Sequence, residues 1–285
     1  MDVGYAEKTF ETFIDAELLS KYGKGWAPGQ YEEGFVGFDF YFEMSAIKHF
    51  FYFRKLFKYY RGINITDILT YVEKKAHVIL RGMPKIKTNI LFQYKCPEYM
   101  TMSNASEWNN WKGAYFRFKI DSKQQKLIED IHNSFPQVLV LYAAPAIKTS
   151  DELYKAAAKK KIIKNTNFTE GYKLSNHKVN TYQNAGKYSI ACSEPEKIES
   201  FQLEELKDRI INENNLDNRD YYIKFAEYIK TLMNKDRDNL FAYNILLKNI
   251  INEEDINLEE YPLINSFLII DIFKEITGIS TYMYI

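Results

Sequence analysis

Residues 89–99 read NILFQYKCPEY. The first half is an apolar run of the kind that forms a buried strand. Gln93 and Lys95 then interrupt it, two residues apart, before Pro97 ends it. In a strand, residues i and i+2 share a face. An amide and an ammonium therefore stand side by side on one face of an otherwise apolar strand. Such a pair must find partners or open onto a polar cavity. The elements on either side determine which.

Upstream, residues 4–22 have helical periodicity that stops at Gly23, and 35–44, FVGFDFYFEM, have strand character around Asp39. Residues 46–80 read as mainly helical, with bases and aromatics mixed in IKHFFYFRKLFKYYRG. Downstream come a polar loop (97–113), a strand-like AYFRFKI (114–120) and a helix over 121–135 capped by Asp121 or Ser122. QVLVLYAAP (137–145) suits a buried central strand, and Thr-Ser-Asp-Glu opens a helix over 149–165. The strand–helix–strand unit at 114–145 predicts an α/β core with a parallel crossover. Residues 166–200 read as short strands and turns, with a hairpin at NAG (184–186) and a turn leading into a helix at SEP (193–195). From about 201 the chain reads as roughly four acidic helices. The expected organisation is a domain over 1–200, with 46–85 inserted in it, and a helical subdomain over 201–285.

The 285 residues are 46% hydrophobic and 27% charged, ordinary values for a globular protein. No run of about 18 apolar residues and no secretory leader is visible, so a cytoplasmic protein with no membrane role is expected. Two cysteines, Cys96 and Cys192, form no metal or disulfide pattern. No P-loop or dinucleotide fingerprint is present. The zero net charge hides segregation. Residues 1–45 carry three basic against nine acidic residues, 46–95 eleven against two, and 201–285 nine against sixteen. A basic middle suits phosphate backbone, and equally suits neutralisation within the fold.

In the first helix, Ala6, Phe10, Phe13 and Ile14 form an apolar stripe, and Glu17 falls in line with Phe10. That acid either pairs, faces a polar cavity or reaches water at the helix edge. Glu7, Glu11 and Asp15 line an adjacent face. Asp39, between aromatic residues on a strand, needs a cation or a core ion pair. Asp39, the Gln93 oxygen and a helix glutamate would suit a hard divalent cation, with Lys95 beside its water. In 46–61, Lys48, Arg54, Lys55 and Lys58 alternate with aromatics that could stack on bases, or could simply pack a core behind a solvated basic face. Cys96 with His132 or His177 is a weaker alternative, since no spacing brings a histidine to the thiol.

GFD at 37–39, FQYK at 92–95 and the following strand, glutamine-bearing helix and strand resemble the restriction-endonuclease-like, or PD-(D/E)XK, nuclease superfamily. The likeness is to its Mrr-type variant, Asp…Gln-x-Lys, and EEGFVGFD, LFQYKCPEYM, YFRFKI and LYAAP resemble a bacterial family associated with it. The resemblance implies a mixed sheet flanked by helices and hydrolysis of DNA phosphodiesters with Mg2+ or Mn2+, in restriction or phage defence. It implies metal ligands Asp39, Gln93 and Glu17 (Glu7 in reserve), a catalytic Lys95, and Gln124 or Gln125 presented by the following helix. It also leaves room for an inactive version that binds nucleic acid or a protein, with the C-terminal helices as a docking surface and an oligomer compatible with either.

Overall fold

The computed structural model describes residues 3–22, 65–206, 215–251 and 256–285. In chain order its helices are α1 (Glu7–Tyr22), α2 (Ile65–Gly82), α3 (Trp108–Trp111), α4 (Ser122–Ser134), α5 (Ser150–Ala158), α6 (Asn218–Lys235), α7 (Arg237–Ile250) and α8 (Pro262–Thr277). Its strands are β1 (Thr88–Tyr94), β2 (Glu98–Met100), β3 (Tyr115–Lys119), β4 (Leu139–Pro145), β5 (Thr166–Glu170), β6 (Val179–Tyr182), β7 (Tyr188–Cys192), β8 (Glu196–Glu199) and β9 (Ile279–Tyr284). The chain is therefore mixed α/β, and no described helix is long and apolar enough to cross a membrane.

The described residues fall into two units that do not follow the chain. One holds 3–22, 88–206 and 279–282; the other holds 65–87, 215–251, 256–278 and 283–285. The single cut near residue 200 expected from sequence is replaced by this discontinuous division. The helix α2, expected within the insertion of the first domain, groups instead with α6, α7 and α8.

The first unit carries two sheets. One has the order β5-β4-β1-β9, with β1 parallel to β4 and β4 antiparallel to β5. The other, β2-β3-β6-β7-β8, is antiparallel throughout. The parallel crossover exists, but it joins β1 to β4 and not β3 to β4. The side chains explain the choice. Every residue of β1 is buried, as a strand covered on both faces requires. The strand β3 instead sends Arg117 to the Glu98 carboxylate on β2, 2.5 Å away, which suits the partly solvated face of an antiparallel sheet. The expected helix after SEP is absent: 193–195 turn directly into β8, completing a hairpin with β7.

Local signals set the helix boundaries. The Asp121 carboxylate accepts the Gln124 N–H at 2.9 Å and starts α4, and Thr149 starts α5 in the same way. At Gly171, an added Cβ would collide with Cγ2 of Ile128, so only glycine lets the end of β5 lie this close to α4.

In the second unit, Glu73 of α2 accepts the Leu263 and Ile264 N–H groups (3.0 and 3.1 Å) and caps α8, which has no side-chain cap of its own. Gly278, at φ 70°, ends α8 in the left-handed conformation that favours glycine.

Candidate functional site

The alternation of β1 sorts its side chains onto two different surfaces. Phe92 and Tyr94 share one, their rings stacked with centroids 5.9 Å apart. Phe10 of α1 meets Tyr94 edge-on at 5.8 Å, and Tyr282 of β9 meets Phe92 at 5.5 Å. The Tyr94 hydroxyl donates to Asp15 of α1. Burial pushes the Tyr94 hydroxyl well above the ordinary tyrosine range. This is a packed face with a helix lying on it.

Gln93 and Lys95 point the other way, towards α4. Lys95 Nζ donates to Gln124 Oε1 at 2.6 Å, and Gln124 Nε2 donates to Gln93 Oε1, also at 2.6 Å. Gln93 is only 3% exposed, and its own Nε2 donates to the Tyr94 carbonyl at 3.0 Å. The Lys95 N–H donates to the Ala143 carbonyl at 3.0 Å, so this chain of bonds sits at the carboxyl ends of the two parallel strands. In open α/β sheets that is where ligands bind.

The neighbouring glutamine has a different position. Gln125 is buried, accepts from the Tyr142 hydroxyl at 3.0 Å and donates to the Gly171 carbonyl at 3.0 Å. Of the two glutamines left open by the sequence, Gln124 is the one that meets Lys95 and Gln93. Tyr142 is a neighbour that the sequence reading missed: its ring centroid lies 5.7 Å from Lys95 Nζ. Nothing local in the sequence signals it, since Tyr142 of LYAAP comes opposite Gln93 only through the pairing of β1 with β4.

Burial pulls the Lys95 ammonium below the ordinary lysine value, while the carboxylates of Glu7 and Asp121 push it back up. Burial likewise raises Glu7, opposed first by the charge of Lys95 and then by the Cys96 N–H, which donates to Glu7 Oε2 at 3.2 Å. Glu7, the reserve acid, is thus the α1 carboxylate facing Lys95.

Glu17, expected in the site, is 7% exposed and accepts the Ile162 N–H at 2.6 Å. It ties α1 to the segment following α5 and is not brought to the glutamine–lysine pair. The reason is the strand alternation: the body of α1 covers the Tyr94 face, and only its first turn reaches the end of β1. Asp39, Lys48, Arg54, Lys55 and Lys58 lie outside the described residues. Cys96 donates its thiol to the Tyr5 carbonyl at 3.2 Å. His132 stacks on Tyr172 and His177 lies 3.3 Å from Glu196, so neither histidine partners this thiol.

The described donors do not fit a divalent cation as they stand. Of the oxygens expected to hold the cation, Gln93 Oε1 accepts an amide N–H, as does the adjoining Tyr94 carbonyl, and an ammonium belongs to the same network. Among the described residues no cluster of three or more His, Cys, Asp or Glu could hold a metal. What the arrangement can do is hold one cationic group rigidly at a strand end, with carboxylates on either side.

Compared with protein-family models, with curated proteins and with solved structures, the chain matches none.

Proposed function

We propose that the first unit is a nuclease domain of the restriction-endonuclease-like type, hydrolysing phosphodiester bonds of DNA. The observation that carries this reading is the Lys95–Gln124–Gln93 chain at the carboxyl ends of β1 and β4. A Gln-x-Lys strand, a parallel partner and a glutamine on the crossover helix are the pieces the sequence resemblance asks for.

In this reading Lys95 binds a non-bridging phosphate oxygen and offsets the charge that builds there during attack. Gln124 is a positioning residue that aims the ammonium, and Gln93 holds Gln124. Burial keeps the ammonium weakly hydrated, which strengthens its pull on an anion. A requirement for Mg2+ or Mn2+ belongs to the proposal through Asp39, the acid outside the described residues. A cytoplasmic restriction or anti-phage role, with a protein partner on the helical unit, completes it.

A second reading is favoured by one observation. Gln93 Oε1, the expected metal ligand on β1, is already engaged by the Gln124 amide and linked through it to an ammonium, as expected of a site that binds nucleic acid without cutting it. End-labelled single- and double-stranded DNA and RNA, incubated with Mg2+, Mn2+ or EDTA, separate the two. Metal-dependent cleavage lost in Lys95→Ala and Asp39→Ala supports the nuclease. Binding that survives EDTA and weakens in Lys95→Ala, with no cleavage under any condition, supports the second. Neither cleavage nor Lys95-dependent binding refutes both.

A further inference from the structure

In the second unit a cavity of about 610 Å3 opens where the end of α2 meets the start of α6. Asn218 builds it. Its Nδ2 donates to the Leu80, Met83 and Pro84 carbonyls (2.9, 3.2 and 3.0 Å), and its Oδ1 accepts the Ile86 N–H at 2.8 Å. One side chain thus fixes the turn that follows α2. The buried Leu80 and Met83 and the half-buried Leu216 give the cavity an apolar part.

Its rim carries three cations, Arg81, Lys85 and Arg219, with the imidazole of His77 beside them. His77, Arg81 and Lys85 recur at four-residue spacing along α2 and the turn after it, and Arg219 joins them from α6. His77, Arg81 and Lys85 are exposed and have no hydrogen-bond or ion-pair partner among the described residues. Arg219 has only an exposed pairing with Asp220 at 3.3 Å. The lining contains one acid, Asp217, whose carboxylate accepts the Asp220 N–H at 2.8 Å as the cap of its own helix. Positive groups converging on one cavity repel one another, and an anion relieves that repulsion at each of them. Guanidinium forks and an ammonium match phosphate oxygens, and the apolar part offers a surface for an organic moiety. The volume lies within the range of small-molecule sites, roughly 300–1,000 Å3.

We propose that this cavity is a binding site for a small organic phosphate of nucleotide size, with the phosphates on Arg81, Lys85 and Arg219 and the nucleoside against Leu80, Met83 and Leu216. The proposal stands independently of the nuclease reading of the first unit. Calorimetric titration of the full chain in EDTA, with ADP, adenosine and inorganic phosphate as separate probes, tests it. ADP should bind saturably at one site per chain, at least about tenfold tighter than adenosine or phosphate alone. The double variant Arg81→Glu/Lys85→Glu should weaken ADP at least about tenfold, and Arg219→Ala should weaken it to a smaller degree. These side chains are exposed or half-buried, and circular dichroism checks that both variants keep their helices. Four results overturn the proposal: no saturable ADP binding, ADP binding indifferent to the charge reversals, inorganic phosphate as tight as ADP, or a single-stranded oligonucleotide displacing ADP at lower concentration through the same residues.

Discussion

Replacing Gln124 by alanine removes the middle of the Lys95–Gln124–Gln93 chain and leaves two groups behind. Gln93 Oε1 is the expensive one. The residue is 3% exposed, so its acceptor loses the only side-chain donor described for it, in a place water barely reaches. An orphaned buried acceptor costs about 1–3 kcal/mol. Lys95 is only half-buried, so its ammonium can rehydrate and adds less. A loss of about 2 kcal/mol is therefore expected for Gln124→Ala. Urea denaturation followed by tryptophan fluorescence measures it, since Trp108 and Trp111 belong to the same unit. Lys126→Ala, at an exposed position on the same helix, is the control and should change stability by less than about 0.5 kcal/mol. The Gln93→Ala/Gln124→Ala double variant should cost less than the two single changes together, by about 1 kcal/mol, because removing both partners leaves no orphan. Additive single costs, or a Gln124→Ala midpoint equal to the control, would refute the view that these three side chains act as one network.

The pH dependence of stability should report on Lys95. Its folded pKa lies below the ordinary lysine value, so in the window between the two the unfolded chain binds more protons and stability rises with pH. Lys95→Met should flatten that rise relative to the parent, measured by urea midpoints at alkaline pH. Glu7→Gln removes a carboxylate that holds Lys95 up, so the Lys95 pKa should fall further, as followed by NMR of the lysine side chains. Glu17→Ala should cost about 1.5–3 kcal/mol through the lost Ile162 N–H bond, with the Lys95 titration unmoved. Gly171→Ala should cost about 1–3 kcal/mol by overpacking against Ile128, and adding Ile128→Ala should recover part of it.

What the sequence made legible was mostly local. Asp121, Thr149 and the apolar centre of β1, Ile90 to Phe92, announced their elements because capping and burial act over a few residues. The pairing of β1 with β4 was hidden, because β2, α3, β3 and α4 intervene and no neighbouring residue records which sheet a strand will join. The same holds for α2: its own periodicity gave a helix, but its grouping with α6 to α8 depends on chain more than a hundred residues away. At the site, the shared face of Gln93 and Lys95 followed from the period of a strand. The error at Glu17 came from treating helix α1 as if its whole length faced that pair. Helical phase places residues around an axis, and it does not say which face of the sheet the axis crosses.

The strand β9 lies beside β1, whose residues leave the ribosome about 185 positions earlier. At ordinary elongation rates of about 5–20 residues per second, roughly ten to forty seconds separate the two. Throughout that interval the nascent polypeptide presents an unzipped sheet border, with unsatisfied peptide groups beside Phe92. A sheet border left open for that long is exposed to wrong pairing with other chains, so slowing or speeding translation between β1 and β9 should change the fraction that aggregates.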